Sequence, residues 1–169
     1  MLTNTEQSLE KFRKFVAQQS RSRLSKLKKN DSKGLYKRLD GVLKVSPNSF
    51  HLSWDLGYGT FQDKGVSGTE KKYDTPYSYK TKMPPSKPLS EWAKRKGIRL
   101  RDEKGKFQKG NYKTIGFLIA RSIFRKGIKP SLFFTKPFEQ GFKKLPDNVL
   151  QAYGLDVEEF LKYTIKQQR

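Results

Sequence analysis

The chain has no cysteine in its 169 residues. That excludes disulfides, thiol nucleophiles and thiolate metal sites, and it fits a protein made and folded in a reducing cytosol. Histidine occurs once, as His51, and no carboxylates cluster beside it to complete a zinc site. No window approaches the ~18 uninterrupted apolar residues of a membrane span. The opening MLTNTEQSLE lacks the basic-then-apolar layout of a secretory signal. Acid is scarce: 16 Asp and Glu stand against 37 Lys and Arg, a formal charge of +21. Hydrophobic residues are few at 34%, but 12 Phe, 8 Tyr and 2 Trp compensate, because each buries a large area. The length suits one domain with a real core.

A surplus of cations this large destabilises an isolated compact chain and draws it to polyanions. It is spread along the sequence. Residues 1–40 carry 11 basic and 4 acidic side chains, and only residues 147–169, with 3 and 4, come near balance. A basic tail on a neutral domain would look different. The partners implied are nucleic acid, an acidic protein surface, or both.

The most regular stretch is 111–130, NYKTIGFLIARSIFRKGIKP. Ile115, Leu118, Ile119, Ser122 and Ile123 recur at three- and four-residue steps and predict one face of a helix. Gly127 supplies a left-handed stop and Pro130 prevents continuation. The run SLFFTKPFEQGF that follows has strand character, interrupted by Pro137. Nothing here resembles a nucleophile, a metal-ligand set or a phosphate loop.

Elsewhere, a first helix is expected over 5–29, with Thr5 as its cap and Leu9, Phe12, Val16, Leu24 and Leu27 as its apolar stripe. Its other face is basic. In residues 35–45, Leu35, Leu39, Val42 and Leu43 suit helical spacing, but Gly41 and the SPN that follows argue for a short piece. Phe50, Leu52 and Trp54 alternate with polar neighbours, as a half-buried strand would. After the Gly57-Tyr58-Gly59 bend, 60–63 is expected to resume as its hairpin partner, with Phe133-Phe134 as a third strand. Residues 64–110 are rich in Gly and Pro and carry 14 basic against 5 acidic side chains. They read as a long irregular excursion with a short helix over 90–96, capped by Ser90 and anchored by Trp92. At the C-terminus a helix starts at Pro146-Asp147-Asn148 and is expected to break at Gly154. Asp156 is expected to cap a last helix that buries Tyr153, Val157, Phe160, Leu161 and Ile165.

Few residues invite a chemical reading. Asp55, Asp63, Asp74 and Glu70 match no ligand spacing and read as salt-bridged or solvated. Gly57, Gly59, Gly65 and Gly68 are turns, since no helix opens after them as a dinucleotide site requires. Lys71, Lys72, Lys80 and Lys82 interleave with Tyr73, Tyr77 and Tyr79. Such an arrangement either stacks single-stranded bases or packs its aromatics on the chain itself or a neighbour. Packing is the preferred reading, with Tyr73, Tyr77, Tyr79, Met83 and Trp92 as subunit-interface candidates. No catalytic residue, cofactor site or metal site is expected.

Three segments carry a family resemblance. They are the helix pattern LEKFRKFV; the run FHLSWDLGYGTFQD continuing through Lys64-Gly65-Val66-Ser67-Gly68; and 115–134, with Gly116, Ala120 and Arg121 on the helix and then Gly127-Ile128 and Pro130. Together they make the chain resemble the head–tail joining, or tail-completion (neck), proteins of tailed bacteriophages. The resemblance implies a single α+β domain over 1–169, with helices packed on a small antiparallel sheet and 66–110 as a long basic insertion. It implies a non-enzymatic virion protein, made in the host cytoplasm, whose copies form a ring joining the portal or connector to the tail. Genomic DNA would pass through the lumen without being read in sequence, which would account for the basic charge. Lys71, Lys72, Lys80 and Lys82 are the expected DNA-facing set. The insertion and the C-terminal helix are the segments expected to reach neighbours. The alternative is a cytosolic basic nucleic-acid-binding protein.

Overall fold

The computed structural model describes residues 3–29, 33–46, 49–108 and 110–167. In chain order the elements are α1 (Thr3–Lys26), α2 (Gly34–Arg38), β1 (Val42–Ser46), β2 (Ser49–Ser53), α3 (Gly59–Lys64), α4 (Ser86–Arg95), β3 (Leu100–Arg101), β4 (Phe107–Gln108), α5 (Tyr112–Lys126), α6 (Thr135–Phe142) and α7 (Leu145–Gln167). The fold is α+β, with two small antiparallel pairs, β1–β2 and β3–β4, among the described residues. It divides into two compact units. One is Met1–Asp63 with Leu132–Arg169, and the other is Lys64–Ser131. The second unit begins close to the expected insertion but continues past 110 to include α5.

In the first unit, α1 buries Phe12, Val16, Ala17, Ser20 and Leu24, a single face at helical spacing. Leu27, expected on that stripe, lies beyond the last helical residue and is exposed. Phe12, Trp54, Phe134 and Phe138 form the aromatic core. Phe12 and Phe138 meet edge-on at 5.6 Å, and Trp54 meets Phe134 and Phe138 at 5.6 and 5.8 Å. Each such pair adds ~0.5–1.5 kcal/mol beyond its buried area, which is how a chain poor in aliphatics stabilises this unit. Leu24, Leu39 and Phe133 form a second, fully buried cluster.

Several expectations are corrected in this unit. The partner of β2 is β1, in the register Leu43–Leu52 and Val45–Phe50. Residues 60–63 are helical, because Asp63 is drawn inward to serve α6. Phe133 is a buried turn residue, and the run after it forms α6 instead of a third strand. Pro137 is the third residue of α6, in the first turn, where a missing N–H leaves no hydrogen bond unmade. Gly154 does not break α7, which is continuous. Glycine costs a helix interior only ~1 kcal/mol, and packing on α1 at Ala152 and Asp156, both buried, outweighs that.

In the second unit, α4 lies against α5. Gly116 is the point of closest approach: a methyl group there would overlap Ser90 Oγ and the Ser86 carbonyl oxygen. Ala93, Ile115 and Ala120 are buried in the same unit. The buried face of α5 is Ile115, Gly116 and Ala120, with Ile119 and Ile123 half-buried, whereas Leu118 and Ser122 are exposed. The face is therefore rotated from the expected one, because helices this close require small residues at the contact. Ser90 is not a cap. It sits inside α4, its hydroxyl donating to the Ser86 carbonyl at 2.9 Å, and the helix starts after an extended Pro85. Asn111 does cap α5, its side-chain oxygen accepting from Lys113 N–H at 3.0 Å, and Gly127 ends the helix at φ 72°.

Candidate interaction surfaces

The excursion after Gly65 is not a free loop. Its backbone folds over the C-terminus of α5 and satisfies carbonyls that a helix end leaves unpaired. Thr69 N–H donates to the Phe124 carbonyl at 2.9 Å, and Glu70 and Lys71 N–H donate to the Arg125 carbonyl at 3.0 and 3.2 Å. Val66 and Ile128 exchange two backbone bonds of 2.9 and 2.7 Å as an isolated antiparallel bridge. Two of the motifs that carry the family resemblance, about sixty residues apart in sequence, are thus one structural joint. Gly68 and Gly127 are required there, since a side chain on either would run into the backbone of the other strand.

This backbone positions the candidate residues. Ser67 N–H donates to the Tyr77 carbonyl at 2.8 Å and Tyr79 N–H to the Ser67 carbonyl at 2.9 Å. Tyr73, Tyr77 and Tyr79 are half-buried, and Lys71, Lys72, Lys80 and Lys82 are exposed. Tyr79 packs on Phe124 of its own unit at 6.2 Å, and burial pushes its hydroxyl pKa up. Lys71 sits over the Tyr73 ring at 5.6 Å, and the Lys72 ammonium donates to the Gly68 carbonyl at 3.0 Å. Met83 is exposed, and Trp92 is half-buried on α4.

The two most buried carboxylates among the described residues are structural. Asp63, at 2% exposure, is neither solvated nor salt-bridged, contrary to expectation. It caps α6, accepting from Phe134 N–H at 2.7 Å, from Thr135 N–H at 3.3 Å and from the Thr135 hydroxyl. Asp156, at 5% exposure, caps α1 from the far end of the chain. It accepts from Asn4 N–H at 2.8 Å, Asn4 Nδ2 at 3.0 Å, Thr5 N–H at 2.9 Å and the Thr5 hydroxyl at 2.7 Å. Burial opposes its ionisation, but these bonds prevail and hold its pKa below the ordinary value. Thr5, expected as the cap, is instead one of the residues capped. Glu70 pairs with Arg125 and Asp55 with Arg38, as expected of surface carboxylates. Among the described residues no three His, Asp or Glu converge as a metal site would require.

A surface that sequence spacing misassigned lies on α7. Leu150, Tyr153, Phe160 and Leu161 are 72, 50, 65 and 53% exposed, and Val157 is exposed as well. The side chain of Ile165 lies outside the described residues. The periodicity was legible, but the helix has two sides. Ala152 and Asp156 face α1, and the apolar stripe looks away from it. Beside α1 and the start of α7 lies a groove of about 840 Å³, with Phe15, Leu145 and Leu155 in its lining and Lys11, Lys143 and Lys144 around it. No protein family, curated protein or solved structure matches the chain.

Proposed function

We propose that this chain is a non-enzymatic structural protein of a tailed-phage neck, acting in head–tail joining or tail completion. Copies assemble into a ring around the DNA channel, between portal or connector and tail. The observation that carries this reading is the joint between the two resemblance motifs. The Val66–Ile128 bridge, with its two glycines, commits those residues to architecture. Asp63 and Asp156, the buried carboxylates, are likewise committed as helix caps. The exposed Lys71, Lys72, Lys80 and Lys82 lie on the inserted unit, where phosphate contact would be independent of base sequence. No helix among the described residues is long and apolar enough to cross a membrane.

Electron microscopy of the purified protein tests the proposal: closed rings are expected, and a monodisperse monomer at all concentrations refutes it. The surplus charge of +21 favours one other reading, a monomeric nucleic-acid binder. That reading expects tight binding to free DNA without rings, and a steep salt dependence. Reversing the four lysines to Glu separates the two. A monomeric binder loses affinity, and its salt slope falls by about three to four. A neck ring still assembles, but its particles retain or release the genome poorly.

A further inference from the structure

We propose that the β3–β4 hairpin is a phosphate-binding element that holds the backbone of duplex DNA. The inference deepens the reading above by naming an element that meets the genome. It rests on that reading only in taking DNA as the polyanion.

The hairpin folds from local chemistry. Asp102 N–H donates to the Lys106 carbonyl and Gly105 N–H to the Asp102 carbonyl, both at 2.9 Å. The Asp102 carboxylate accepts from Lys106 N–H at 2.8 Å. Gly105 takes the left-handed φ of 80° that the turn needs. Arg101 pairs with Phe107 and Leu100 with Gln108. Side chains alternate along a strand, so these pairs lie on opposite faces. Leu100 is half-buried against Gly110. The other face carries Arg99, Arg101 and Phe107, all exposed. The Arg101 guanidinium lies 4.5 Å from the centre of the Phe107 ring, and that of Arg99 5.8 Å.

These cations are unpaired. Among the described residues, Arg99, Arg101, Lys104 and Lys106 are exposed and none meets a carboxylate. Arg13, Arg21, Arg38 and Arg125 all do. Against the hairpin's four cations stand Asp102, committed to the turn, and Glu103. Cation–π contact with Phe107 holds the two guanidiniums in place. A guanidinium held this way keeps its planar N–H fork for phosphate oxygens. The ring already carries its own arginines, so it acts as their support and not as a platform for a base.

Composition selects the partner. The unit that holds the hairpin, Lys64–Ser131, has 19 basic against 5 acidic side chains. A second copy brings the same surplus and is repelled. A protein interface is built on an apolar core depleted of lysine, and the exposed face of the hairpin offers one aromatic ring and no aliphatic side chain. Duplex DNA presents a charge every ~1.7 Å along its axis. It can satisfy several neighbouring cations at once without matching their shape, and such contacts read no sequence.

Fluorescence anisotropy on the full chain, with a short mixed-sequence duplex over a salt series, tests this. One variant carries Arg99→Ala with Arg101→Ala. A control carries Lys143→Ala with Lys144→Ala, which removes the same charge from exposed positions of the other unit. Circular dichroism checks that both stay folded, since the turn is held by backbone and Asp102. The hairpin variant is expected to bind about tenfold more weakly, with a salt slope lower by about two. The control is expected to keep the wild-type slope. Phe107→Leu keeps every charge, so it should weaken binding by a few-fold and leave the slope unchanged. Three results overturn the inference: equal losses in hairpin variant and control, displacement of the duplex by polyglutamate as readily as by unlabelled DNA, or binding confined to single strands and lost in Phe107→Leu. Rings whose DNA binding ignores the hairpin would refute this contact and leave the neck reading standing. Hairpin-dependent binding by a protein that stays monomeric would do the reverse.

Discussion

Replacing Asp156 by Ala should release the start of α1 from α7. The carboxylate accepts four hydrogen bonds, from the backbone and side chains of Asn4 and Thr5, and Thr5 is 4% exposed. Losing a helix cap costs about 1 kcal/mol. Leaving the buried Thr5 N–H and hydroxyl without an acceptor costs about 1–3 kcal/mol more. The expected loss is therefore about 2–4 kcal/mol, a fall in Tm of about 5–15 °C for a chain of this size. Asp156→Asn keeps one acceptor oxygen and should lose roughly half as much. The pH dependence has a definite sign. The folded pKa of Asp156 is depressed, so its contribution is fully present above the unfolded value of about 3.9. It is lost as pH falls through the lower folded value. Thermal unfolding followed by circular dichroism should thus show a gap between wild type and Asp156→Asn that is constant near neutrality and narrows below about pH 4. A neutral-pH difference within about 0.5 kcal/mol, typical of surface substitutions, would refute the cap, as would a gap unchanged into strong acid.

Asp63→Ala should destabilise the first unit by about 2–3 kcal/mol through loss of the α6 cap. Added Mg²⁺ should not raise the wild-type Tm, and metal-dependent stabilisation would instead mark Asp63 as a ligand. Gly116→Ala gains ~1 kcal/mol of helix propensity, yet the new methyl meets Ser86 and Ser90 of α4. Overpacking of about 1–3 kcal/mol should win, and chemical denaturation showing a more stable variant would contradict the close α4–α5 approach. With the four lysines reversed to Glu, far-UV circular dichroism should be unchanged, because all four are exposed. Their effect should appear only in DNA binding or genome retention.

Local chemistry carried much of the fold. The stretch 111–127 declares its own helix, since the apolar spacing and Gly127 act within a few residues of one another; the Asn111 cap was seen only in the structure. The alternation around Phe50 and Leu52 declares a strand for the same reason, and the α+β class follows. The partner of that strand was not legible, because residues 60–63 have turn-flanked strand character and become helical only once Asp63 is engaged by Phe134 and Thr135. In α6 the aromatic content argued for a strand, and packing of Phe138 on Phe12 and Trp54 decided for a helix. The candidate lysines and tyrosines were visible as a pattern. That Tyr79 packs on Phe124 of its own unit was not.

Composition alone determined that this protein has no thiol chemistry and must live with a large positive charge, because charge and residue type are properties of the chain. Periodicity determined which segments are amphipathic. Which side of an amphipathic helix is buried depends on what lies beside it. For α7 that was decided by Asp156 reaching the first turn of α1, a contact across about 150 residues. The contact turns one face of the helix inward and leaves Phe160 and Leu161 looking out.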